Sequence, residues 1–137
     1  MKLNKTTEYS LRILIYMAQK PSELYSAGTL VKELKVSDKY LRRIMTDLSK
    51  SGFIQSAQGR TGGYSFAKDP SQIFLLDIID AVEGIDSFNG CVLGFESCSC
   101  INPCAMHETW LPVRNELNKV FSETKLSELD FEKILRF

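Results

Sequence analysis

The sequence predicts a mainly α-helical fold carrying one small β-hairpin, with three short helices leading and one long helix trailing. Three observations predict it. Three early segments repeat one apolar template at i, i+3, i+4 and i+7, the stripe of an amphipathic helix. A glycine-rich turn between two short extended runs follows the third segment, the signature of a hairpin. Large apolar residues then recur at three-to-four spacing near the C-terminus.

Taken in order, the first stripe is Leu11, Leu14, Ile15 and Ala18. Ile13, Tyr16 and Met17 extend it beyond one face, so this helix is expected to pack on two sides, one of them against a second subunit. The second stripe is Ala27, Leu30, Val31 and Leu34, with Ser26 placed as its cap. The third is Leu41, Ile44, Met45 and Leu48, with Ser37 as cap and Gly52 as stop. A serine oxygen there accepts from amide groups that the first helical turn leaves without partners. Only Lys35 and Val36 separate the second helix from the third helix's cap, a helix–turn–helix spacing. Residues 53–58 and 64–67 form the strands of the hairpin and Gly59-Arg60-Thr61-Gly62-Gly63 its turn. No Gly-Lys-Ser/Thr follows these glycines, which excludes a phosphate loop. A hairpin directly behind such a helix pair makes the unit a winged helix-turn-helix.

Residues 73–83 read as a further amphipathic helix ended by Gly84, and residues 84–102 lack periodicity. Asn102 and Pro103 look like the cap and first residue of the long helix, which continues through Met106, Trp110, Val113, Leu117, Val120 and Phe121. An apolar face of that length needs a partner, and the simplest is its own copy in a second subunit. Pro112 is expected to kink or divide this helix, and a short helix over 127–135 closes the chain. The expected organisation is therefore a winged helix-turn-helix domain over 1–84, a cysteine-rich loop over 85–103, and a dimerisation helix with a short C-terminal helix over 104–137.

Composition narrows the function. The chain has 137 residues, 44% of them hydrophobic, enough for one modest core. It has no apolar run long enough to span a membrane and no apolar secretory core behind its first lysines. A cytoplasmic location is expected, where thiols stay reduced and clustered cysteines point to metal or redox chemistry. The formal net charge of zero hides a split. Residues 1–70 carry 12 Lys and Arg against 6 Asp and Glu, and residues 71–137 carry 5 against 11. One basic half is the footprint of a protein that meets a polyanion at one end.

The third helix has a second face made of Lys39, Arg42, Arg43 and Thr46. A helix that buries one stripe and presents cations on the other suits a DNA major groove. Ser37, Asp38 and Tyr40 stand at its start, Tyr40 also reading as a core residue. Arg60 at the hairpin tip is placed for a minor groove or a phosphate, with Gln58 beside it.

All four cysteines, Cys91, Cys98, Cys100 and Cys104, and the single histidine, His107, fall within residues 91–107. Cys104 and His107 sit at i, i+3 and are expected to face one side of the first helical turn, where the helix dipole favours a thiolate. Cys91, Cys98 and Cys104 with one further ligand complete a four-donor site. Zinc sites show paired CxxC knuckles, absent here, whereas iron–sulfur clusters accept looser spacings. The residues thus favour an iron–sulfur cluster over zinc, metal-free thiol chemistry or inert cysteines.

The chain resembles the Rrf-two family of bacterial winged-helix regulators over essentially its whole length. The resemblance rests on Thr7-Glu8-Tyr9-Ser10-Leu11-Arg12, Val36-Ser37-Asp38-Lys39-Tyr40-Leu41, Gly59-Arg60-Thr61-Gly62-Gly63-Tyr64, Ile78-Ile79-Asp80-Ala81-Val82-Glu83-Gly84 and the cysteine loop. It implies a homodimer on a palindromic double-stranded DNA operator, with DNA affinity tuned in some members by a 2Fe–2S or 4Fe–4S cluster, the two-iron form being favoured here. It implies Cys91, Cys98 and Cys104 as cluster ligands and His107 as the fourth. Glu8, in the first helix of the partner subunit, is the alternative ligand it offers, and a plain helix-start carboxylate is the other reading of that residue. Cys100 is surplus to the family pattern and stands as a substitute for Cys98 or as a redox partner. Gln58 occupies a wing position where many relatives have arginine, with Arg60 beside it. The expected function is a dimeric transcription regulator, a repressor, whose cluster reports redox state, nitric oxide or cluster supply. The alternative is a cluster-free regulator of the same family controlled by thiol oxidation or a protein partner. With one histidine and no cofactor fingerprint, an enzyme is not expected.

Overall fold

Every helix of the first half begins at a side chain able to cap it. In this computed structural model, which describes residues 3–133, α1 spans Lys5–Met17, α2 Ala27–Leu34 and α3 Asp38–Lys50. Asn4 accepts from the Thr7 amide, Ser26 from Thr29 and Ser37 from Tyr40. Each such cap stabilises its helix by about 1 kcal/mol. Lys35, with φ of 51°, turns the chain between α2 and α3. Gly52 follows α3 with φ of +83°, a left-handed conformation that glycine adopts without strain.

The stripe of α3 buries in full as its spacing predicts, and that of α2 in part, Ala27 and Val31 staying half-buried. Leu41, Ile44, Met45 and Leu48 are all buried, as are Leu30 and Leu34. In α1 the core-facing line is rotated from the expected one. Ile13, Leu14 and Met17 are buried with Thr7 and Ser10, while Leu11, Ile15 and Ala18 are half-buried at the edge of the core. The template matched because α1 is apolar over more than one face, so periodicity alone did not choose between neighbouring stripes.

The hairpin pairs β1, Ile54–Ala57, with β2, Gly63–Phe66, antiparallel, Ile54 opposite Phe66 and Ala57 opposite Gly63. An exchange of two backbone hydrogen bonds between Tyr25 and Tyr64, 2.8 and 2.7 Å, ties its second strand, near the turn, to the chain ahead of α2. Gly63 makes this possible. A Cβ there would lie 2.5 Å from the Tyr25 carbonyl oxygen, so only glycine admits the approach. This small sheet and the mainly helical remainder form the expected winged helix.

Behind the wing, α4 spans Leu75–Val82 and a one-turn α5 spans Asp86–Asn89. Sequence periodicity missed α5, because four residues carry no repeat. The long helix, α6, spans His107–Glu123. It starts after Met106, not at Asn102 and Pro103 as expected, so Cys104 precedes the helix. Pro112 lies inside α6 without dividing it. The expected terminal helix over 127–135 is instead two short 3₁₀ turns, Leu126–Glu128 and Phe131–Lys133, and its last two residues lie outside the described ones. The chain after α6 returns to pair Lys125 with Phe74, which carries Leu126 into the main core at 1% exposure. α6 is held to α5 by Phe88 against Phe121, ring centroids 5.7 Å apart. Arg114 Nη1 donates to the Asn89 carbonyl at 3.1 Å, and Asn118 donates to the Asn89 side chain at 2.9 Å. Among the described residues no helix is long and apolar enough to cross a membrane.

Candidate DNA interface and cysteine centre

The buried stripe of α3 forces its other face outward. Ser37, Asp38, Lys39, Arg42, Arg43 and Thr46 are exposed, so the cations expected to meet DNA share one open surface. Asp38 Oδ2 accepts from Arg42 Nε at 2.9 Å, a hydrogen bond that raises the Arg42 pKa further and leaves the guanidinium charged. Thr46 returns its hydroxyl proton to the Arg42 carbonyl at 2.9 Å. Arg42 also lines a cleft with Ser56, Gln58, Gly59 and Tyr64 of the wing, so helix and hairpin form one continuous face. Gln58 and Arg60 are exposed at the hairpin turn. Tyr40 differs from its neighbours. It is half-buried, packs edge-on against Tyr9 and shares a 2.8 Å hydrogen bond between its hydroxyl and Thr6.

The cysteine loop between α5 and α6 is brought back on itself. Trp110 Nε1 donates to the Gly90 carbonyl at 3.4 Å, pinning the start of the loop to α6. Cys91 Sγ and Cys104 Sγ then lie 3.5 Å apart, and Cys98 Sγ lies 3.5 Å from His107 Nδ1. His107 is 5% exposed, one of three buried polar residues among those described. The pairing differs from the expected one. Cys104 and His107 do not share a helical turn; the His107 amide donates to the Cys104 carbonyl at 3.1 Å in the turn that precedes α6, and His107 instead faces Cys98. Cys100 is exposed, whereas Cys91, Cys98 and Cys104 are half-buried.

The Cys91 thiol is pulled below its usual pKa, most strongly by the Leu93 amide, with the Phe95 amide, the Cys104 thiol and the Gly94 amide adding to it against a smaller burial effect. Amides aimed at sulfur favour the thiolate, the form that ligates metals. The donor set therefore suits a thiolate-binding metal centre. The four donors lie as two close pairs; among the described residues no three of them form a ready-made metal group. Glu8 stands in the first turn of α1, where Lys5 meets its carboxylate at 2.7 Å.

Sequence reasoning passed over one polar cluster. Glu83, the residue closing α4, accepts from the Thr7 hydroxyl at 2.7 Å and from the Asn4 amide at 3.1 Å. Its signal was present in the run ending Val82-Glu83-Gly84, where a carboxylate stands just ahead of a glycine with φ of +88°.

Comparison with known proteins decides the family. The model of Rrf2, described as an iron-dependent transcriptional regulator, matches residues 3–130. The chain belongs to the Rrf2 family. It is a transcriptional regulator, and not an enzyme. Among Rrf2-type relatives, the HTH-type transcriptional regulator NsrR of Shouchella clausii is 30% identical over 100% of this chain and 97% of its own. The structure of CymR, the global cysteine regulator of B. subtilis, superposes with a TM-score of 0.77 at 26% identity, covering 93% of this chain and 95% of that one. IscR of T. potens shares the fold, with a TM-score of 0.71 at 21% identity over 93% of this chain and 85% of its own. The Rrf2 assignment makes DNA the partner of the winged helix.

Proposed function

We propose that this Rrf2-family regulator is a cytoplasmic homodimeric repressor of a palindromic operator, its DNA affinity set by an iron–sulfur cluster, two-iron before four-iron, held by Cys91, Cys98, Cys104 and His107. The observation that carries this reading is the approach of those donors in two separate 3.5 Å pairs on a loop pinned to α6. Three thiols with one imidazole suit zinc as well as an iron–sulfur cluster, but their spacing lacks the paired CxxC knuckles of zinc sites and fits the looser ligation of clusters. Such a cluster supplies a centre that gains and loses electrons and reacts with oxidants or nitric oxide. The protein's own residues do the rest. The Leu93, Gly94 and Phe95 amides lower the Cys91 pKa and so favour its thiolate, and Gly90 against Trp110 keeps the loop on α6. Residues 1–84 then act as the DNA-binding domain, 85–103 as the sensing loop, and 104–137 as the dimer arm. Lys39, Arg42, Arg43 and Thr46 enter the major groove, Arg60 and Gln58 contact the flank, and Ser37, Asp38 and Tyr40 orient the start of the helix. A dimer reads two half-sites at fixed separation, so a small rotation between its units costs much affinity.

A second reading is supported by the same loop. The Cys91 and Cys104 thiols, 3.5 Å apart, also suit metal-free control by thiol oxidation, with Cys100 exposed nearby in sequence. Purification under argon separates the two. Visible absorption with iron and acid-labile sulfide bound to the chain is expected, and a colourless protein lacking both defeats the cluster reading. DNA contact is tested separately by Arg42→Glu with Arg43→Glu: retention on duplex DNA at moderate salt is expected to be lost, and unchanged retention defeats it.

A further inference from the structure

We infer that Thr6, Thr7 and Glu83 are positioning residues that couple the cysteine loop to the recognition helix, an inference that rests on the sensing function proposed above. The loop leaves the DNA-binding unit through Glu83 and Gly84, and α5 follows at Asp86. Glu83 does not end α4 idly. Its Oε2 accepts from the Thr7 hydroxyl at 2.7 Å and from the Asn4 amide at 3.1 Å. Thr7 is fully buried at 0% exposure, and its hydroxyl also lies 3.0 Å from Asn4 Oδ1. The cap of α1 and the end of α4 are thus one polar cluster. Thr7 is buried and Glu83 half-buried, so parting them costs a buried hydroxyl one of its partners.

The adjacent residue completes the path. The Thr6 side chain shares a 2.8 Å hydrogen bond with the Tyr40 hydroxyl, in the first turn of α3. Tyr40 is braced there by Tyr9, ring centroids 5.6 Å apart, and Arg12 lies 5.3 Å from the Tyr9 ring. Displacement of Gly84 and the loop therefore pulls on Glu83, hence on the first turn of α1, hence on the first turn of α3. That turn carries Lys39 and precedes Arg42 and Arg43. Apolar contacts also join α1 to α3, but they tolerate sliding; directional hydrogen bonds at two adjacent residues of one helical turn transmit a shift with a defined direction.

The test reads coupling, not affinity alone. A duplex enriched by the wild-type protein from a random-sequence pool serves as probe, under argon, with iron- and sulfide-reconstituted protein. Affinity is compared between protein with intact loop cysteines and protein with Cys91, Cys98 and Cys104 replaced by alanine. The wild-type ratio is expected to be about tenfold, in the range usual for coupled sites. Thr6→Val and Thr7→Val, each placed in both backgrounds, should bring the ratio close to one, while Thr6→Ser, which keeps the hydroxyl, retains it. Tyr40→Phe should match Thr6→Val; a Tyr40→Phe loss of affinity in both backgrounds with the ratio intact would mean that the hydroxyl serves DNA and overturns the inference. A wild-type ratio that survives Thr6→Val and Thr7→Val also overturns it and leaves the sensing function standing. A wild-type ratio of one removes the sensing function and the inference together. Far-ultraviolet circular dichroism of each variant identifies unfolding, and Tyr40→Phe, which removes the same hydrogen bond from the α3 side, carries the test should a valine variant unfold.

Discussion

At the scale of single residues, backbone geometry decides more than side-chain identity does. Gly63 is required because the Tyr25 carbonyl would stand 2.5 Å from any Cβ placed there. Gly63→Ala is expected to destabilise the protein by about 1–3 kcal/mol, the usual range for forcing atoms into a filled space. Chemical denaturation read at equilibrium checks it, and an unchanged midpoint would show that the wing slides freely on the α2 entry. Cys91 illustrates the same point in the cysteine loop. Its thiol is lowered first by the Leu93 amide, so its thiolate persists at lower pH than that of a free thiol, which ionises near about 8.5. In iron-free, reduced protein, the pH profile of Cys91 alkylation, followed by peptide mass spectrometry, should therefore lie at lower pH than that of the same cysteine in urea-unfolded protein. The sign follows from ionisation: a lowered pKa keeps the reactive anion populated as pH falls, until the shifted value is passed.

At the scale of elements, α3 shows how one helix serves two surfaces. Its inner line of Leu41, Ile44, Met45 and Leu48 is buried, and the cations on the outer line have nowhere to go but solvent or DNA. Leu48→Ala is expected to cost about 2–5 kcal/mol, the cost of an unfilled space in a packed core, and to weaken DNA binding only through loss of folded protein. Denaturant unfolding and binding titration on the same sample separate these effects. The elements also mark where reading by pattern stops. The stripes of α2 and α3 were legible because an apolar face of two or more turns repeats. α5 was not, because Asp86–Asn89 is a single turn. The start of α6 was misplaced because Asn102 and Pro103 have the residue types of a helix start, yet the loop spends residues 103–106 bringing Cys104 back to Cys91. The terminal segment forms 3₁₀ turns instead of a helix because Leu126 is drawn into the core by pairing between Lys125 and Phe74, a long-range demand with no local trace.

At the scale of the whole molecule, the single chain leaves an apolar surface that a second subunit would cover. Val113 and Val120 of α6 are each 49% exposed, seven residues apart and so on one face. With Leu11 and Ile15 half-buried on α1, the chain has more apolar surface than its own core covers. Val113→Glu combined with Val120→Glu is expected to shift the protein to the mass of one chain in sedimentation or light scattering. It should also cost DNA affinity by removing one of two linked half-site contacts. A variant that keeps the wild-type mass would place the dimer contact elsewhere.

By itself the sequence determined the helix–turn–helix, the wing, the basic face of the third helix and the identity of the clustered sulfur and imidazole groups. Those features follow from local spacing, since a helix period, a capping serine or a run of cysteines is written in adjacent residues. Only the tertiary structure decided which donors face one another, Cys91 with Cys104 and Cys98 with His107, and that Glu83 closes on Thr7 across 76 residues of chain. Contacts of that kind depend on how separate helices pack, and a one-dimensional pattern carries no record of the angle at which two helices meet.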